Sequence, residues 1–198
     1  MADGTLKVGT ITTSSGSGTI TLGQSGESVT VPSGATLDMS SATTTLSSSM
    51  KNTPAFFVSK TSSVSGSSGS TTKATFDLVD FDTDSAYDST TNYRFTVPSG
   101  KAGKYFFNIQ CKRNNFNAQR WQAWLRKNGN NIAGSELCGS GMGGTNFQTV
   151  CVSAIDDASV GDYYEAWFYQ DSGDTGGPYN DSSTSHNSFF QGYRIIGA

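Results

Sequence analysis

NYRFTVPSGKAGKYFFNIQ, residues 92–110, holds two apolar alternations separated by a turn. Tyr93, Phe95 and Val97 alternate with polar residues, Pro98-Ser99-Gly100 interrupts the run, and Tyr105, Phe107 and Ile109 resume it after Gly103. A period of two means a strand with one face buried, and Pro-Ser-Gly is turn chemistry. The stretch therefore predicts strand, tight turn, strand: two half-buried antiparallel strands forming a hairpin.

Working outward, the same signals recur. Ala55 to Lys60 reads as a short apolar strand, followed by a flexible loop, SSVSGSSGSTT, at residues 62–72. Ala74 to Phe81 reads as a second strand, and the five aspartates from Asp77 to Asp88 mark an exposed connection. Further strands are expected at Trp121 to Lys127, turning at Asn128-Gly129, and at Phe147 to Ile155, Tyr163 to Gln170 and Phe189 to Ile196. Strands at short intervals with no helical periodicity between them predict an all-β sandwich.

The residues also carry a resemblance. Tyr87-Asp88, the run Phe95-Thr96-Val97-Pro98-Ser99-Gly100, then Gly103-Lys104-Tyr105-Phe106-Phe107, resembles the signature of the complement globular-head and tumour-necrosis-factor jelly-roll superfamily. Arg126-Lys127-Asn128-Gly129, Val160-Gly161-Asp162 with Tyr164, and a closing Phe190, Gly192 and Tyr193 follow in the same order. The resemblance implies a jelly roll in which Tyr164, Ala166 and Phe168 face the core while Glu165, Trp167 and Tyr169 point outward. It also implies a homotrimer that buries aromatic-rich faces at its axis, which assigns Glu165, Trp167 and Tyr169 to the trimer interface. The alternative is that a long loop covers these rings.

The N-terminal part is different in kind. All 23 aromatic residues lie between Phe56 and Tyr193, whereas the first 53 residues contain 30 Ser, Thr or Gly. Apolar pairs recur there, Ile20 with Leu22, Val29 with Val31 and Leu37 with Met39, separated by Gly23-Gln-Ser-Gly26 and Pro32-Ser-Gly34. Each buried aliphatic side chain contributes about 1.5–3 kcal/mol, against about 1–2 kcal/mol to order each backbone position. Such a segment cannot fold alone. It is either a disordered linker or a short-strand fibrous stem in which several chains bury these pairs against one another, and the period-two pairs favour the stem. Residues 1–39 are read as stem and attachment segment, 40–53 as a neck, and 54–198 as the head. The stem resembles segments of bacteriophage fibre proteins, which implies a virion protein made in the bacterial host cytoplasm and displayed on the particle.

Charge and chemistry narrow the function. A net charge of -3 argues against a nucleic-acid footprint, and no apolar run is long enough to span a membrane. Seven basic residues fall between Lys101 and Lys127 and seven acidic ones between Asp156 and Asp181, either as surfaces of opposite sign or as partners across a subunit boundary. Cys111, Cys138 and Cys151 show neither disulfide nor zinc spacing. The single histidine, His186, lies in a polar loop with no nucleophile motif, so no enzyme and no cofactor are expected. The last loop, Asp171 to Ser188, offers Asp171, Asp174, Asn180 and Asp181 as oxygen ligands, Tyr179 as a stacking ring and His186 as a titratable group. It suits a shallow carbohydrate site, and the resemblance adds calcium as a minor alternative. The expected function is a trimeric fibre or appendage adhering to host-surface glycans, with its stem on other virion proteins. A capsid-decorating or collar protein without a receptor is the alternative.

Overall fold

The structure, a computed structural model, describes residues 9–13, 18–45, 51–113, 120–140, 148–173, 175–179 and 186–196, with the backbone alone at 133 and 135–140. The chain divides into two units, Met1–Thr45 and Leu46–Ala198. Among the described residues there is no helix.

The larger unit has eleven described strands: β1 (Ala55–Ser59), β2 (Ser70–Lys73), β3 (Leu78–Asp82), β4 (Tyr87–Asp88), β5 (Arg94–Thr96), β6 (Gly103–Arg113), β7 (Arg120–Lys127), β8 (Asn130–Ser140), β9 (Gln148–Ala158), β10 (Tyr163–Gln170) and β11 (Phe189–Arg194). They form two antiparallel sheets. One has the order β3-β1-β11-β6-β9, the other β4-β5-β10-β7-β8 with β2 beside β10. Neighbours far apart in sequence and a shared interior define an all-β jelly roll.

The opening stretch corrects one expectation. β5 and β6 do not form a hairpin, because they belong to opposite sheets. β5 pairs with the start of β10, Tyr163 with Thr96 and Tyr164 with Phe95, and β6 pairs with β9 and β11. Pro98 to Lys101 is a corner, closed by Lys101 N donating to Pro98 O at 3.1 Å, with Gly100 at φ 73°. The physical reason is ring area. As a hairpin, Phe95, Tyr105 and Phe107 would share one face of one sheet; across the sandwich they face each other, with ring centroids 5.6 Å apart for Phe95–Tyr105 and 5.9 Å for Phe95–Phe107. Each such pair contributes about 0.5–1.5 kcal/mol beyond its buried area.

Phe56 of β1 extends the same cluster, 4.8 Å from Phe95 and 4.9 Å from Phe190, and Phe107 lies 4.2 Å from Tyr164. Trp121, fully buried, donates its Nε1 to Cys111 O at 3.0 Å. Tyr164, Ala166 and Phe168 face this core, as the resemblance implies.

Two further expectations change. Residues 62–72 are not wholly loop: β2 ends that segment, Val64 is buried, and Gly66 bridges Gly176. The strand expected at 74–81 begins at Leu78, although Ala74 and Phe76 are buried in the core. Asn128-Gly129 turns as expected, with φ of 51° and 82°. The strand it leads into, β8, was not foreseen.

The smaller unit has turns at regular intervals. Glu27 N donates to Gln24 O, Ala35 N to Pro32 O and Ala42 N to Met39 O, at 3.0, 3.1 and 3.0 Å. Around these turns Ile20, Leu22, Val29, Val31, Leu37 and Met39 are exposed, and among the described residues of this unit there is no strand.

The opposite charge blocks meet within the chain. Lys127 lies 2.9 Å from Asp156 and 3.0 Å from Asp162, and Arg120 lies 3.6 Å from Asp171. Tyr164 Oη donates to Asp156 at 2.6 Å, tying this cluster to the core.

Candidate functional site

An exposed apolar surface of the head lies on the outer face of the five-stranded sheet. Strands β1 and β6 each carry an aromatic residue on the outer face as well as on the inner one. Phe56 and Val58 point into the core and Phe57 points out; Tyr105 and Phe107 point in and Phe106 points out. A strand apolar on both sides is one that expects cover on both sides.

Register sets the outward residues in rows. Ala55, Tyr193, Phe106 and Ile155 form one row, and Phe81, Phe57, Gln191, Asn108 and Ser153 the next. The rings touch along these rows: Phe57 lies 5.2 Å from Phe189 and 6.4 Å from Phe81, and Phe106 lies 5.4 Å from Tyr193. Ile155 is 63 % exposed, Phe81 51 % and Tyr193 42 %.

The middle of the face is polar but internally satisfied. Gln191 Nε2 donates to Asn108 Oδ1 at 3.3 Å, and Asn108 Nδ2 donates to Ser153 Oγ at 2.8 Å. A satisfied amide ladder tolerates desolvation, and its fixed order supplies register. The face thus sets aromatic side chains around polar groups bonded to one another.

One edge carries His186. Its Nδ1 lies 3.0 Å from Ser59 Oγ and 3.5 Å from Asp80 Oδ2, and its ring packs edge-on against Phe57 at 5.6 Å. A serine, histidine and aspartate together suggest nucleophilic chemistry. A triad needs the serine on one ring nitrogen and the carboxylate on the other; here both lie against Nδ1, and Ser59 is fully buried.

The last-loop residues are placed on separate partners. Asp171 accepts from Arg120 N at 2.7 Å. Tyr179 N donates to Lys112 O at 2.7 Å, and its ring borders a cleft of about 300 Å³ with Arg113 and Ser63 to Ser65. Asp174, Asn180 and Asp181 lie outside the described residues. Among the described residues no three His, Cys, Asp or Glu side chains gather as metal ligands, and Asp171 is engaged by Arg120.

Glu165, Trp167 and Tyr169 lie on the other sheet, pointing outward from β10. Glu165 is buried within the chain, and Trp167 and Tyr169 are partly covered by it. β2 pairs with this half of β10, Trp167 with Lys73 and Tyr169 with Thr71. Lys73 Nζ is 2.6 Å from Glu165, which is buried, and Arg126 and Arg120 stack on Trp167 and Tyr169 at 4.3 and 4.7 Å. The outward aromatics of β1, β6 and β11 escaped the sequence reading because AFFVS and YFFNI look like core on any face. Their consecutive aromatic pairs, Phe56-Phe57 and Phe106-Phe107, were the signal.

No protein-family model and no curated protein matches the sequence. Solved structures do share the fold. The globular domain of a zebrafish complement 1qA protein is 18 % identical, matching 72 % of this chain and 97 % of its own with a TM-score of 0.50. Murine APRIL, in a structure at pH 5.0, is 10 % identical, matching 71 % and 98 %, with a TM-score of 0.53. The head shares the jelly-roll fold of these structures.

Proposed function

We propose that this chain is a homotrimeric structural protein of a bacteriophage virion. Its head assembles through the outer face of the five-stranded sheet, and its N-terminal unit is a three-chain stem held by other virion proteins. The observation that carries the reading is that each unit separately exposes an ordered apolar surface: Phe57, Phe81, Phe106, Tyr193 and Ile155 in the head, and three apolar pairs between turns in the stem. One threefold assembly covers both without symmetry mismatch. The likeness of the stem to phage fibre segments supplies the virion context, and the jelly roll supplies a projecting head that adheres to host-surface glycans. Three linked weak sites would gain by avidity.

A capsid-decorating or collar role is the second reading. Asp171, Tyr179 and His186 each serve a different strand rather than converging on one site, which favours a last loop without a receptor. Labelled full-length protein is to be tested on whole candidate host bacteria beside a version with Asp174, Tyr179 and Asp181 replaced by alanine. Saturable binding lost in the substituted protein supports adhesion through this loop. Absence of binding to every host by a protein of trimeric mass selects decoration.

A further inference from the structure

The outer face of the six-stranded sheet is built unlike the assembly face. Along β10 the outward residues are Tyr163, Glu165, Trp167 and Tyr169, and each ring carries a cation. Arg94 Cζ lies 4.2 Å from the centroid of Tyr163 and Arg126 Cζ 4.3 Å from that of Trp167, with Lys73 Nζ 5.7 Å from the same ring. Arg120 Cζ lies 4.7 Å from Tyr169. All three rings are half-buried, so part of each still meets solvent.

The charges do not cancel. Glu165 is neutralised by Lys73 at 2.6 Å, and Arg120 has Asp171 at 3.6 Å. Arg94 and Arg126 have no carboxylate within 4.0 Å among the described residues. Arg126 is instead fixed by its Nε donating to Asn131 Oδ1 at 2.8 Å. A second observation lies beside Trp167. Trp124 is its register partner on β7, lies outside the core cluster, is 8 % exposed, and has a buried Nε1 with no acceptor. Two guanidinium groups and three partly exposed rings share this face, and the Trp124 indole N–H lies buried beside them with no acceptor among the described residues.

We propose that this face binds an acidic polysaccharide. A guanidinium held over a ring has already lost much of its rotamer freedom and keeps N–H groups for bidentate capture of a carboxylate. Partly exposed aromatic rings are apolar platforms with polar neighbours, suited to the C–H faces and hydroxyls of sugar rings. From Tyr163 to Tyr169 the ladder runs about 20 Å at 3.3–3.4 Å per residue, long enough for several units of a polymer. The net charge of -3 provides no broad basic field for duplex nucleic acid. The proposal deepens the host-glycan reading by naming the ligand class, and it uses a surface separate from the last loop.

The test uses the full-length protein with polygalacturonate as the acidic probe, neutral dextran and duplex DNA as controls, and the variants R94Q/R126Q and D174A/Y179A/D181A. Saturable binding to polygalacturonate is expected, weakening with salt, absent on dextran and much weaker on DNA. R94Q/R126Q weakens it at least about tenfold with unchanged mass and melting temperature, while the loop variant binds as the parent does. Equal binding by parent and R94Q/R126Q, or equal binding to DNA or dextran, overturns the proposal. Loss in the loop variant alone overturns it too and leaves loop-mediated adhesion standing, so the two readings fail separately.

Discussion

Phe56 and Phe57 are adjacent and chemically identical, and they do opposite work. Phe56, 1 % exposed, sits among Phe95, Phe190 and Tyr87, so Phe56→Ala should cost about 3–5 kcal/mol in urea denaturation. Phe57→Ala removes a ring from the outer face. It should leave the fold in place but make assembly, and the stability coupled to it, depend more strongly on protein concentration. The family resemblance pointed to the inward set of β10, Tyr164, Ala166 and Phe168, and these residues do face the core; alternation alone is a weaker guide. It could not separate Phe56 from Phe57, since period two carries no information when both phases are apolar.

Carboxylates set the acid limit at the same scale. Asp88 is held well below the ordinary carboxylate value by N–H donation from Thr91 and Thr90 and by the Asn92 amide. Asp162 is lowered chiefly by Asn128; for Asp77 burial pushes upward, but Lys60 and Thr61 outweigh it. A depressed folded pKa means stability that is present above the unfolded value, about 3.9, and lost as pH falls through the folded value. Thermal melting should therefore be flat from neutrality to about pH 5 and fall steeply below about pH 4. Asp88→Asn should shrink that acid slope; if the slope is unchanged, Asp88 does not contribute to it.

Among the elements, the corner between β5 and β6 decides the architecture. Its residue types were legible, Pro98 and Gly100 as turn formers, but whether it folds back or crosses over depends on what lies opposite. That information sits at Tyr163 and Tyr164, more than sixty residues away. β2 was hidden for a similar reason: Ser-Thr-Thr-Lys has no apolar side, and it is a strand because β10 offers it an edge. Gly192 of β11 was visible as a motif residue without a role. A Cβ there would lie 2.6 Å from Phe107 Cδ1 and 3.0 Å from Phe56 Cε1. Gly192→Ala should cost about 1–3 kcal/mol through overpacking, measurable as a lowered urea midpoint with an unchanged slope. The last-loop site was the least legible part, since loop oxygens are recruited by whichever backbone they reach.

At the scale of the whole molecule, the two units have separate problems with a common solution. The stem's Ser, Thr and Gly content and its apolar pairs were readable directly, because they are repeats. The position of the assembly surface was not, because it depends on which strands share a sheet. Opposite charges that suggested contact between subunits are used inside one chain, where Lys127 joins Asp156 and Asp162. What remains on the outer face of the five-stranded sheet is mainly aromatic, on β1, β3, β6 and β11, with Ile155 of β9. The measurement that tests the account most directly is the molar mass of the full-length protein by sedimentation equilibrium, beside F57A/F106A. The account predicts three times the chain mass for the parent and a concentration-dependent fall toward a folded smaller species for the variant. A monomeric parent, or a variant with the parent's mass and affinity, would contradict it.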